Sequence, residues 1–442
     1  MPPSPSSSGA ARRTRPLLAL FVTLGVQMLA TLLLSAPSVL APAVAPALGY
    51  PPERVGPFVG LAYLMAMLCG LWAGRGVAAL GAVRLSQAAM FSCAVGAFAA
   101  TSGTTALLLV ASIAIGSGYG LINPASTTLL ERHSPTARRA LFFSIKQTGV
   151  PLGVALSGLL MPLGLATLGW QPSIALAGAA CAALAAMLFP TVHRLEPWAK
   201  PQVAHDAEWS AEPLGASHEP PHTPHSVVTD GAGEQRVTAG FAALRSVLRD
   251  PPLRRLSLMS FTFATTQLVF ITFLVSLLNL QLAHPLAWSA AILAAAQVVS
   301  TIARIALGYA ADRWIDAGRL LGWLGLAMAA SLLALALLRP TTGDGWVFAA
   351  ALFCAATGMG WNGVYFAELA RTARERADVA TVAGASQFFT FAGSMSGPVL
   401  FSEVIRAGGS YGTGFALFAL LPAAAGLAAL RARHRETGRR SR

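Results

Sequence analysis

The stretch "LLALFVTLGVQMLATLLLSAPSVLAPAVAPALG", residues 17–49, contains no charged side chain and decides the fold class. A segment of about 18 or more apolar residues is long enough to cross the hydrocarbon core of a bilayer as one helix. A helix also pairs its own backbone polar groups, as lipid requires. Arg12, Arg13 and Arg15 precede the stretch and resemble the start of a signal peptide. Because many further apolar segments follow, we interpret it as a retained first span.

The rest of the chain has the same character. Of its 442 residues, 55% are hydrophobic and 11% are charged, whereas soluble domains carry about 25% charged residues. The formal net charge of +13 fits basic cytoplasmic loops, so we expect a lipid bilayer and no nucleic acid as partner. The four cysteines lie in apolar stretches without paired spacing, which predicts neither disulfides nor a metal site. The predicted class is an all-α polytopic membrane protein.

Apolar blocks separated by glycine, proline or charge predict transmembrane helices in two six-helix halves, residues 1–190 and 251–442. Residues 191–250 are rich in Pro, His, Glu and Asp and predict a largely disordered cytoplasmic linker. Arginines concentrate in alternate loops, which places both termini in the cytoplasm and the protein in the cell inner membrane. The predicted spans are 17–40, 55–74, 82–101, 104–130, 140–162, 172–190, 253–279, 287–311, 319–338, 346–369, 379–405 and 411–430.

The two halves resemble a duplicated unit. The same offset in sequence position aligns Gly118 with Gly358 and Gln147 with Gln387. Repeated halves around a midplane binding site are the architecture of many secondary transporters. The repeat therefore favours a carrier.

The motif "GYAADRW", residues 308–314, strengthens that interpretation. With it, the chain resembles the major facilitator superfamily over essentially its whole length. The motif looks like the family's loop signature between the second and third helices of each half. The resemblance implies that Gly308 allows close helix packing, and that Asp312 and Arg313 join a cytoplasmic charge network. The alternative for the latter two is an ordinary solvated pair.

The first half departs from that signature. Its counterpart, "GLWAGRG" at residues 70–76, keeps Gly70 and Arg75 but has Gly74 where the family has an acid. The resemblance therefore implies a weaker loop network in the first half than in the second.

Two glycine-proline motifs predict close helix packing. Small residues at intervals of four let helices approach, and proline bends a helix at the contact. The family's antiporters carry a similar motif in the fifth helix, but here it is incomplete, so import and export both stay open. The packing residues are Gly149, Pro151 and Gly153 in the fifth span and Gly393, Gly397 and Pro398 in the eleventh.

Lys146 lies in the otherwise apolar or small stretch "FFSIKQTGVPLG", residues 142–153. A charge inside a span is costly, so this lysine either reaches back to the interface or serves a substrate or the coupling ion. The family's central cavity is lined by the first, fourth, fifth, seventh, tenth and eleventh spans. The candidate substrate-binding residues that this implies are Gln27, Asn123, Lys146, Gln147, Gln267, Trp361, Asn362, Tyr365 and Gln387.

Arg304, in the eighth span, is a second buried cation, and it serves either the cavity or the loop network around Asp312. No acid lies at mid-depth in the first or fourth span. Two cations without such an acid predict a small organic anion, such as a carboxylate, as the substrate. The alternative is efflux of amphiphilic drugs or metabolites by proton antiport. A non-transporting receptor would need a folded signalling domain, which the linker and tail do not offer.

The predicted function is therefore secondary active transport by alternating access, by symport or antiport. The family resemblance implies a proton as coupling ion and a monomer. The sequence contains no motif of an enzyme and none for a cofactor or metal, and we expect none of these.

Overall fold

The computed structural model describes residues 15–135, 138–196, 244–245, 247–374 and 379–440. Within these residues, 12 helices are long and apolar enough to cross a membrane, which confirms the predicted spans. The first half comprises span 1, Pro16–Ala47; span 2, Val55–Leu80, after a 3₁₀ turn at Pro52–Arg54; span 3, Ala82–Ala100; span 4, Thr105–His133; span 5, Arg139–Gln147 and Gly149–Thr167; span 6, Trp170–Met187; and a short helix, Phe189–Leu195.

The second half repeats this order. It comprises span 7, Pro251–Ser276, with a π-helical turn at Leu277–Gln281; span 8, Leu286–Arg313; span 9, Ala317–Ala336; span 10, Asp344–Met359 and Trp361–Arg374; span 11, Val379–Arg406; and span 12, Tyr411–Arg440. Most of the predicted linker, including all of residues 197–243, lies outside the described residues.

Spans 5 and 10 are each broken, where the sequence predicted continuous helices. Span 5 changes helix at Thr148, one turn before Pro151. Proline has no N–H, so the carbonyl of Gln147 receives no helical bond from it and the ladder is interrupted there. Span 10 changes helix at Gly360. The broken positions place polar side chains of both spans in the middle of the bundle.

The first half continues past residue 190, where the sequence predicted its end. Glu196, after the short helix, is 3% exposed, and its carboxylate accepts hydrogen bonds from Ala82 N (2.8 Å) and Val83 N (3.0 Å). These amides begin span 3, where the helix dipole favours a negative charge. Arg132, at the end of span 4, lies 3.6 Å from the same carboxylate. One acid thus ties together the ends of three spans.

We call the end of the bundle that carries Arg75, Arg84, Arg132 and Arg319 the basic end, and the opposite end the distal end. The halves are in close contact towards the distal end. A Cβ added at Gly56 in span 2 would collide with the Pro398 carbonyl and the Ser402 hydroxyl of span 11.

The buried hydrophobic clusters show the same asymmetry between the two ends. One cluster contains residues of both halves, including Val39 and Leu40 of span 1 and Phe273 of span 7, all 2% exposed or less. Two further clusters lie towards the basic end, and the buried residues of each come from one half alone. The halves therefore separate towards the basic end, which leaves a cavity between them.

Glycines lie at close contacts between the helices within each half. Gly153 of span 5 lies against Thr31 of span 1, where an added Cβ would be 2.7 Å from the Thr31 Cβ. Gly397 of span 11 lies against Thr265 of span 7, where an added Cβ would be 2.7 Å from the Thr265 carbonyl oxygen. Spans 1 and 5 thus pack as spans 7 and 11 do, and both contacts border the cavity.

We expect Gly393→Ala to lower the melting temperature of the detergent-purified protein. The new methyl group would collide with the Phe261 carbonyl in span 7, and overpacking costs about 1–3 kcal/mol. Gly358→Ala is the matched control, because no atom lies within 4 Å of its added Cβ and alanine favours a helix by about 1 kcal/mol. Tryptophan fluorescence during heating measures both. Equal melting temperatures would contradict the packing at Gly393.

Candidate functional site

A central cavity of about 780 Å³, its mouth included, lies between the two halves. Spans 1, 2, 4, 5, 7, 10 and 11 line it. Span 2 was not among the spans expected to do so. Five of the predicted site residues line the cavity: Asn123, Gln267, Trp361, Asn362 and Gln387.

Lys146 lies directly behind Asn123 in the first half. Its side chain is on the last turn before the break in span 5, and its Nζ donates to Asn123 Oδ1 at 2.6 Å. Lys146 is 3% exposed, so the ammonium does not reach the interface in this conformation. Among the described side chains, no carboxylate pairs with it. A neutral amide oxygen is thus the partner of a buried cation.

The second half presents a comparable polar contact. Gln267 of span 7 accepts at its Oε1 from Trp361 Nε1 at 3.0 Å and from Asn362 Nδ2 at 3.5 Å. Trp361 is 1% exposed and packs edge-on against Phe263, with ring centroids 5.6 Å apart. Trp361 and Asn362 begin the second helix of span 10, directly after Gly360.

Besides Lys146, three predicted residues do not line the cavity. Tyr365 is buried, and its hydroxyl bonds to Ser386 of span 11. Gln27 is buried in span 1, with its Nε2 3.4 Å from Thr31 Oγ1. Gln147 is exposed and does not line the cavity, although its repeat counterpart Gln387 does. Gln147 follows Lys146 directly, so the helix points its side chain about 100° away from that of Lys146.

Arg304 contributes the second cation near the cavity. Its Nη2 donates to the Met359 carbonyl at 3.5 Å, beside the break in span 10, and its Nε is buried without a partner in the part of the chain that the structure describes. The guanidinium is also within electrostatic reach of Tyr119, which lines the cavity from the first half. Arg304 therefore lies where its charge acts on the space between the halves.

Sequence reasoning missed an aromatic group in the cavity. Tyr63 of span 2 lies edge-on to Tyr119 of span 4, with centroids 6.0 Å apart, and 6.4 Å from the ring of Phe391 in span 11. These rings join the two halves. A tyrosine within an apolar span was the available signal, because its hydroxyl needs a polar partner or water.

The described residues include part of the predicted loop network. The Arg75 guanidinium lies 5.1 Å from the centroid of the Trp72 ring, and Arg313 is exposed. A Cβ at Gly308 would meet no atom within 4 Å, and Gly70 has only the Gly120 carbonyl at 3.7 Å. The Asp312 side chain lies outside the described part of the structure. The roles assigned to these residues stay predictions.

Solved structures of transporters share this architecture. A bacterial homolog to the human lysosomal transporter Spinster, inward-facing and unoccupied, matches with a TM-score of 0.67 at 16% identity, over 94% of this chain and 97% of that chain. A POT family transporter in complex with 5-aminolevulinic acid matches with a TM-score of 0.72 at 12% identity, over 95% and 96%. A peptide transporter POT in complex with sulfate matches with 0.70 at 15%, over 97% and 96%.

These identities are low, so the likeness to these structures is one of fold. No curated protein sequence matches the chain. The sequence profile of the Major Facilitator Superfamily matches residues 23–398, which is most of the chain. The twelve spans, the two halves and the cavity between them agree with that match. The chain therefore belongs to the Major Facilitator Superfamily.

Proposed function

We propose that this transporter moves a small organic anion, such as a carboxylate, across the cytoplasmic membrane by alternating access. One observation carries the proposal. Lys146 is buried behind Asn123, Arg304 is half-buried beside Met359, and none of the described residues that line the cavity is acidic. Cations without counter-charges make the cavity positive, and a bound anion would offset the cost of keeping them there.

The ligands of two solved neighbours carry anionic groups. One of them holds 5-aminolevulinic acid and another holds sulfate. Their sequence identity to this chain is low, so the ligands support the proposal without identifying the substrate.

A second candidate is efflux of an amphiphilic compound by proton antiport. The aromatic side chains of Tyr63, Tyr119, Trp361 and Phe391 in the cavity lining favour it. Rings of this kind bind apolar bodies, and they also attract cations. The thermal-shift screen described next distinguishes the two candidates.

We expect small carboxylates to raise the melting temperature of the purified wild-type protein, and Lys146→Gln to abolish that rise. A ligand that binds only the folded state stabilises it by mass action, by about 2.7 kcal/mol at a hundredfold excess over the dissociation constant. The glutamine removes the charge and keeps a side chain of similar polarity. A thermal-shift screen of organic anions, amphiphilic cations and neutral compounds measures the effect.

Arg339→Gln is the control, because it removes an equal charge from an exposed side chain at the distal end. It should leave the stabilisation by carboxylates intact. If only amphiphilic compounds stabilise the protein, and equally in wild type and Lys146→Gln, the anion is the wrong substrate class and efflux is favoured.

We further propose that a proton accompanies the anion and that Lys146 carries it. Lys146 is a titratable group, is buried beside the cavity and bonds to a neutral partner. A protonated Lys146 and a bound anion neutralise each other. The loaded carrier therefore holds less net charge in the membrane interior than it would with either charge alone. This arrangement favours symport.

In proteoliposomes, we expect an imposed pH gradient, acid on the side of the anion, to drive accumulation of the carboxylate that binds best. A protonophore should abolish the accumulation, and Lys146→Gln, which we expect not to bind the carboxylate, should show no uptake with or without the gradient. Uptake at the same rate with and without the gradient in wild type would show that the proton is not coupled.

A further inference from the structure

We propose that Asn123 and Gln267, one in each half, are both held with their amide N–H groups towards the cavity, and that together they bind one oxyanion group of the ligand. This inference rests on the proposed function and names its binding contacts. It makes Lys146 and Trp361 the positioning residues that set the two amides.

The orientation of Asn123 follows from its neighbour. An ammonium group has donors and no acceptor, so the Asn123 atom 2.6 Å from Lys146 Nζ must be the oxygen Oδ1. The Nδ2 group is then on the other branch of the amide. The Nδ2 group donates to no described residue. It is also not one of the fully buried polar atoms without a partner, so its surface is accessible. Since Asn123 lines the cavity, its Nδ2 is open to that space.

The orientation of Gln267 follows in the same way. The indole of Trp361 is a donor only, so the Gln267 atom 3.0 Å from Nε1 must be the oxygen Oε1. Asn362 Nδ2, at 3.5 Å, adds a weaker donor to the same oxygen. The Nε2 of Gln267 has no acceptor in the described part of the chain and is open to the cavity.

Two oriented donors from opposite halves select a group with lone pairs and no protons. A carboxylate satisfies both N–H groups with its two oxygens, and hydrogen bonds to a charged acceptor are the stronger kind. A carboxamide of the same shape would place its NH2 group against one of the two N–H donors. The aromatic side chains around the cavity would pack against an apolar remainder of the ligand. We therefore infer a monocarboxylate with an apolar or aryl body as the ligand class.

The two-sided contact also gives the ligand a mechanical role. Asn123 belongs to span 4 and Gln267 to span 7, so an oxyanion held by both would bridge the halves. A ligand that binds the halves more tightly when they are close shifts the population towards an occluded state. A neutral analogue that reaches only one amide would lack that effect.

The experiment uses the full-length detergent-purified protein and two matched probe pairs, benzoate with benzamide and butyrate with butyramide. Gln267→Glu and Gln387→Glu place the same new charge in the same cavity, but only Gln267 has an amide fixed by a donor-only neighbour. We expect Gln267→Glu to weaken carboxylate binding at least about tenfold more than Gln387→Glu does, since it also removes a hydrogen bond to a charged group. Calorimetric titration measures both affinities.

Trp361→Phe tests the positioning role. It keeps an aromatic ring and removes the Nε1 donor, so the Gln267 amide is free to turn. We expect the affinity ratio of benzoate to benzamide to fall several-fold. A purely structural role of Trp361 would weaken both probes alike and leave that ratio unchanged.

The outcomes separate the inference from the function on which it rests. If wild type binds carboxylates and Lys146→Gln does not, but Gln267→Glu and Gln387→Glu weaken binding equally, the anion function stands and the oriented-amide site is wrong. If wild type binds neither carboxylate and amphiphilic cations stabilise it, the proposed function fails and the inference fails with it. A larger loss in Gln267→Glu together with the reduced ratio in Trp361→Phe supports the inference.

Discussion

The absence of water in the bilayer core is the constraint on which the rest of this structure depends. Each backbone amide there must be paired inside its own helix, so a break is tolerated only beside protein or a hydrated cavity. The two breaks of this bundle, at Thr148 and Gly360, both lie in spans that line the cavity. Polar side chains adjoin both breaks, and in span 10 Trp361 and Asn362 follow Gly360 and line the cavity.

Buried charge follows from the same constraint. Lys146 has an amide oxygen as its partner where a carboxylate would have neutralised it. The cation therefore remains a source of positive potential, and its bond also determines which atom of Asn123 faces the cavity. Trp361 also orients the amide of Gln267, but it carries no charge. An ammonium group in one half and an indole N–H in the other thus orient an amide in the same way, with its oxygen bound by the donor.

Sequence reasoning predicted the helices well, because apolar length is a property of each segment by itself. It also found Asn123, Gln267 and Gln387, whose amides have no reason to lie in a span except a polar space. It named Gln147 because Gln387 is its counterpart in the repeat, and the structure places the Gln147 side chain on the exposed face of its helix. It missed Tyr63 because the rotation of span 2 about its axis depends on tertiary packing, which no local pattern records.

The seam between spans 2 and 11 has a consequence for the speed of the transition between states. At Gly56 the first half meets the backbone of Pro398 with no side chain of its own. Spans 5 and 8 meet in the same manner at Gly158 and the carbonyl of Ala290. Surfaces of this kind are smooth, so they slide or part without first withdrawing interlocked rotamers. In the alternating access that we propose, neither glycine has a side chain to withdraw at these two lines of contact, and we expect the contents of the space between the halves to set the rate.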